Sequence, residues 1–196
     1  MSEQLGGYRR NVRDLLEWAN ASDPASPETF ARRNLPRIGL YDSAGDTGQV
    51  ALATGVMTSV PIFLRAGDII TNISVRSGAT AAGTPTNYWF ALYDDSAVPA
   101  LLGQTGDQTS TAWAANTTKT LALASPVTVP RTGIYYVGIM VTATTPPTLL
   151  GSVAAPAIVT GERALSQSSG SSLTASAPLT ITSTTAKQFV PYVVLT

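Results

Sequence analysis

Carboxylates sit in a spacing that invites chemistry at two places, Asp46-Thr47-Gly48 and the pair Asp94-Asp95. Asp-Thr-Gly is the core of the aspartic-protease signature, in which two such loops bring carboxylates together so that one keeps its proton. Here Ser43-Ala44-Gly45 precedes it in place of the apolar strand residues that shape that loop, and the tripeptide reads as an ordinary turn. Asp94-Asp95 follows the aromatic run Tyr88-Trp89-Phe90-Ala91-Leu92-Tyr93. Neighbours on a strand point to opposite faces, so these two carboxylates are poorly placed as an acid/base pair. With Asp42, Asp46 or Asp107 they could make a loop calcium site. The alternating ligands and terminal Glu of an EF-hand loop are absent, however, and a solvated turn is the better reading.

The 196 residues include no histidine and no cysteine. Disulfides, thiol nucleophiles, Ser-His-Asp and Cys-His arrangements and the usual zinc sites are thereby closed off. No glycine-rich phosphate loop occurs at a strand-to-helix junction, and the two lysines, Lys119 and Lys187, lie outside any Ser-x-x-Lys motif. The chain therefore reads as a non-enzyme with no cofactor and no metal. Aromatic rings are the remaining chemistry. In strands they mostly fill cores, but Trp113 lies in the Thr-rich loop Gln108 to Thr118 and is the ring expected at the surface, where it could stack on a sugar.

Charged residues make up 12% of the chain and balance to zero. No basic run marks a nucleic-acid or anionic-membrane partner, and neither is expected. No stretch approaches the ~20 apolar residues of a membrane span, and the Met1 end lacks a signal-peptide apolar region, so the expectation is a protein made in a cytoplasm and not exported by the ordinary route. Residues 1–40 nevertheless hold 11 of the 24 charges, which divides the chain into an arm (1–40) and a charge-poor domain (41–196).

Within the arm, Tyr8, Val12, Leu15, Leu16 and Ala19 follow the spacing of one helical face, predicting an amphipathic helix over 8–20. Ser26-Pro27-Glu28 is a second helix start, with an end expected near Asn34 because Pro36 forces Leu35 out of helical geometry. Helices this short need docking to be stable. Tyr8, Val12, Leu15, Leu16, Trp18 and Phe30 are the candidate docking residues, against either the chain's own domain or a neighbouring subunit.

Beyond residue 48 the period becomes strand-like. Strands are predicted at Gln49 to Ala53, Met57 to Leu64, Ile69 to Arg76, Tyr88 to Tyr93, Thr120 to Ala124, Ile134 to Thr142, Leu179 to Thr182 and Phe189 to Leu195. Ile134 to Thr142 is apolar on both faces, as a central strand should be. Pro61 and Pro191 suggest edges or bulges in their strands. Ala164 to Ala177, almost all Ser, Gly, Ala, Leu and Thr, reads as a long surface loop. The fold class expected is mostly β, an antiparallel β-sandwich or jelly roll preceded by a short helical arm.

The strand Ile69 to Val75, the loop Gly78 to Thr86, then Trp89-Phe90-Ala91-Leu92-Tyr93, Ala112-Trp113-Ala114-Ala115-Asn116 and Gly133 to Ile139 form a series. It resembles the β-sandwich domains of virion proteins from tailed phages of actinobacteria: minor tail proteins, tail fibres and capsid decoration or head-fibre proteins. The resemblance covers about residues 48 to 196 and implies symmetric assembly, usually trimers, with the arm on the virion and the sandwich outward. It supplies no catalytic residues. The chain lacks a collagen-like shaft and long heptads, which points away from a fibre toward a compact decoration or tail-tip subunit. The expected function is a virion structural protein, assembled in the host cytoplasm beside major capsid or tail proteins. The alternative is a host-surface glycan-binding module centred on Trp113.

Overall fold

A computed structural model describes residues 32–34, 51–155, 157–158, 160 and 163–196. The helix expected over 8–20, most of the second helix and the Asp46 loop fall outside these residues. Among the described residues there is no helix, and all strand pairing is antiparallel.

Eleven strands follow one another among the described residues. They are β1 (Met57–Leu64), β2 (Ile69–Arg76), β3 (Asn87–Tyr93), β4 (Leu101–Gln104), β5 (Thr118–Thr128), β6 (Gly133–Thr142), β7 (Gly151–Val153), β8 (Gln167–Ser169), β9 (Thr185–Ala186), β10 (Phe189–Pro191) and β11 (Val193–Leu195). A six-stranded sheet runs β4-β3-β6-β1-β8-β9, a three-stranded sheet β11-β2-β5, and a two-stranded ribbon β10-β7.

Alternation explains how the sheets bury themselves. In β3, Tyr88, Phe90 and Leu92 enter one apolar cluster while Trp89, Ala91 and Tyr93 enter another on the opposite face. β6 does the same: Tyr135, Val137, Ile139 and Val141 on one side, Tyr136 and Met140 on the other. As expected, β6 is an interior strand, flanked by β3 and β1. The first cluster also takes Ile70, Ile73 and Val75 of β2 and Val193 and Leu195 of β11, so the six- and three-stranded sheets share one core. Ile70 and Ile73 break strict alternation, and the register shift between Ile70 and Asn72 is the bulge that brings both inward.

Two prolines are accommodated as their chemistry requires. β8 pairs with β1 only from Met57 to Ser59, so at Pro61 the missing N–H faces no strand on that side. Pro191 ends β10, and after Tyr192 the chain moves to a different sheet as β11, so the single strand expected over Phe189 to Leu195 is two. Leu179 to Thr182 is not a strand: Thr180 makes one bridge to Ala100 and Leu179 is exposed. Residues 51–53, the described part of the strand expected from Gln49, are also irregular.

The stretch from Ala164 to Ala177 departs most from expectation. Gln167–Ser169 is β8, and residues 170–182 form a strap across the outer face of the six-stranded sheet. Its side chains are too small to pack a core alone, and backbone carbonyls do the work instead. Trp89 Nε1 donates to Thr174 O (2.6 Å), Tyr93 Oη to Pro178 O (3.0 Å) and Thr142 Oγ1 to Leu173 O (2.8 Å). Gln104 clamps the middle, donating to Ala175 O and accepting from Ala177 N. Beneath the strap Gly138 is required by space. A Cβ there would lie 2.6 Å from Met57 Sδ and 3.2 Å from the Tyr93 ring.

Candidate functional site

Residues 32–34, in the charge-rich N-terminal stretch, lie along the free edge of β11. Arg33 bridges Val194, Leu195 N donates to Arg32 O (2.8 Å), and Val193 N donates to Asn34 Oδ1 (2.8 Å). Asn34 Nδ2 donates to Pro191 O. These residues are not helical: Arg32 has φ 58, and where the second helix is expected to end the chain makes an isolated bridge to β11. Backbone pairing at an open sheet edge wins because it satisfies donors and acceptors that a terminal helical turn leaves unmade.

Arg32 also ion-pairs with Asp68 (3.0 Å), with both side chains partly exposed. Burial raises the Asp68 carboxyl, but the Arg65 N–H, the Arg32 hydrogen bond and the nearby guanidinium charges outweigh it and hold the group below its ordinary value. The C-terminal residue is fastened beside this bridge, with Thr196 O accepting from Thr71 N and Asn72 N.

Of the carboxylates singled out for chemistry, the three among the described residues, Asp94, Asp95 and Asp107, are occupied in loops. Asp94 Oδ1 accepts from Ser96 N, Ser96 Oγ and Ala100 N; burial raises its carboxyl, but these bonds win and it is held low. Asp95 takes a fork from Arg131, with Nε donating to both oxygens and Nη2 at 2.7 Å from Oδ1, and that hydrogen bonding lowers its carboxyl. Asp107 accepts from Asn87 and Thr109. Both Asp94 and Asp95 favour the ionised form, so they do not share a proton as a catalytic dyad does. Among the described residues no group of three His, Cys, Asp or Glu side chains could hold a metal ion.

Trp113 is not at the surface. It is fully buried, with its ring 5.4 Å from Tyr88 and 5.9 Å, edge-on, from Phe90. The Thr-rich loop around it is exposed, but the ring turns under and seals the end of the shared core, which gains far more apolar burial than a solvent-facing ring would. The six candidate docking residues Tyr8, Val12, Leu15, Leu16, Trp18 and Phe30 lie outside the described residues. Residues 32–34 are read from sequence as the end of the second helix, not as an edge contact, because three residues carry no strand period; the signal that could have found the contact is the Asn34 amide, a side chain suited to completing backbone bonds.

The described residues form a cleft and a groove open to solvent. A cleft of about 620 Å³ lies beside β8, β9 and β10, lined by Leu52, Val56, Thr58, Val153 and Phe189 among others. A groove of about 290 Å³ crosses the outer face of the three-stranded sheet between Arg33 and Thr118. In comparisons with known proteins, the chain matches no family model and no curated protein.

Proposed function

We propose that this chain is a structural subunit of a tailed-phage virion, a capsid decoration or minor tail protein. It is attached through its N-terminal arm and displays an antiparallel β-sandwich of jelly-roll type on the particle exterior. The observation that carries this reading is the junction: a charge-rich arm enters a charge-poor β domain along an open strand edge, at Arg32–Asn34. The shared core of the six- and three-stranded sheets supports the sandwich type. The loop duties of Asp68, Asp94, Asp95 and Asp107 fit a display role better than catalysis. Symmetric self-association, as a trimer, and contact with major capsid or tail proteins belong to the same proposal. The glycan-binding alternative loses its motivating observation with the burial of Trp113.

The test is reconstitution. Particles assembled without this chain should take up the full-length protein, and a variant lacking residues 1–31 but keeping Arg32–Asn34 should fold and fail to incorporate. Failure of the full-length protein to bind either capsids or tails, or equal uptake of the truncated form, would defeat the reading.

A further inference from the structure

Among the described arginines, two stand apart from the rest. Arg32 pairs with Asp68, Arg131 with Asp95, and Arg163 hydrogen-bonds and stacks against Tyr136. Arg33 and Arg76 line the 290 Å³ groove together, and neither has an acidic partner among the described residues. Both are half-buried. A guanidinium partly withdrawn from water without a counter-charge bears a desolvation cost that an incoming anion removes.

The sheet register places the two groups. Ser74, Arg76 and Val194 alternate with the buried Ile73, Val75, Val193 and Leu195, so they face outward. Arg33, Val194, Ser74 and Thr120 form one row across the sheet. Arg76 belongs to the next row, opposite Thr118, with Leu150 on its other side through Leu150 N to Arg76 O. Arg33 and Arg76 thus stand two strands apart and one row offset, roughly 12 Å between backbones. Val194, Leu150 and Tyr192 lie around them, and Ser74 and Thr118 add hydroxyls. Two forked cations at that spacing suit two carboxylates on an extended chain better than one compact anion.

We propose that this groove binds an acidic polypeptide segment, and that the segment is residues 14–31 of a second copy of this chain. That stretch carries Asp14, Glu17, Asp23 and Glu28 and no lysine or arginine. Its charge complements the groove, and it directly precedes the segment that contributes Arg33. The inference rests on the self-association within the particle reading, and its test uses this chain alone, without particles.

The test is fluorescence anisotropy with a labelled peptide of residues 14–31 titrated into the full-length protein. The peptide should bind, with affinity falling steeply as salt rises. Arg33→Gln and Arg76→Gln should each weaken it at least about tenfold, as loss of a charge-assisted hydrogen bond does. Lys187→Gln, which removes the same charge outside the groove, should leave it unchanged. Absence of binding would overturn the proposal. So would equal binding of the peptide carrying Asp14→Asn, Glu17→Gln, Asp23→Asn and Glu28→Gln, equal weakening by Lys187→Gln, or displacement of the peptide by inorganic phosphate at matched ionic strength. Unfolding midpoints of the three variants, expected to match the parent, separate loss of binding from loss of fold.

Discussion

The two faces of the six-stranded sheet are covered by opposite means. The inner face meets the three-stranded sheet and Trp113 through interlocking side chains, among them Tyr88, Phe90, Ile62, Val137 and Ile139. The outer face meets a strap of Ser, Gly, Thr and Ala, where few large side chains oppose Trp89, Tyr93 and Met140. On the first face close packing supplies the stability; on the second, aromatic N–H and O–H groups reach out to backbone carbonyls and hold a chain that could not pack on its own. A strap of this kind is cohesive only while each bond is made, so the outer face should open before the inner one.

The sharpest break in that contrast is Trp113→Ala. It removes a fully buried ring from the inner face and should cost about 3–5 kcal/mol of stability, read by chemical denaturation. A loss below about 1 kcal/mol would mean that the ring is not part of the core. Gly138→Ala attacks the opposite face by overpacking, forcing Met57 and Tyr93 aside at a cost of about 1–3 kcal/mol.

Trp89→Phe keeps most of the ring and leaves Thr174 O without its donor. It should cost about 1–2 kcal/mol, with amide exchange accelerated in residues 170–182 and unchanged in β2. Uniform acceleration across both faces would contradict separate modes of attachment.

Alkali should sharpen the comparison further. Burial raises the Tyr93 phenol above its ordinary value of 10, so its contribution is fully present below pH 10 and is lost as pH rises through the folded value. Strap exchange should therefore speed up above pH 10 in the parent and less in Tyr93→Phe. The smallest effect is on the acid side. Asp68, Asp94 and Asp95 are held below their ordinary value of 3.8, so the stability they contribute is present above it and disappears as pH falls through their folded values. Asp94→Ala should narrow the difference between unfolding midpoints at neutral pH and near pH 3, and an unchanged difference would assign the acid loss to other groups.

Strands with a buried face were legible from residue order. The expected limits Met57 to Leu64 and Ile69 to Arg76 coincide with β1 and β2, and β3 and β6 differ from theirs by one residue at the start. Alternation of Val60, Ile62 and Leu64 is a local pattern, and turn residues such as Gly67 with φ 86 mark its ends. β4, β8 and β9 were not legible, because Leu101–Gln104, Gln167–Ser169 and Thr185–Ala186 are short and mostly polar or small and exist only as additions to an edge already formed. Leu179 to Thr182 failed in the other direction: its backbone bonds to Pro99 and Leu101 and the Thr180 bridge to Ala100 make no strand, and Leu179 stays exposed.

The site divides along the same line. Residue order alone determined the charge-rich arm, the absence of histidine and cysteine, and the apolar alternation of the long strands, since each is a property of composition or of near neighbours. Tertiary structure decided that Trp113 turns inward, that a Ser/Gly-rich stretch becomes a cover, and that Arg33 and Arg76 line one groove. Each of these brings together residues more than twenty positions apart, and only closure of the sheets places them in one region.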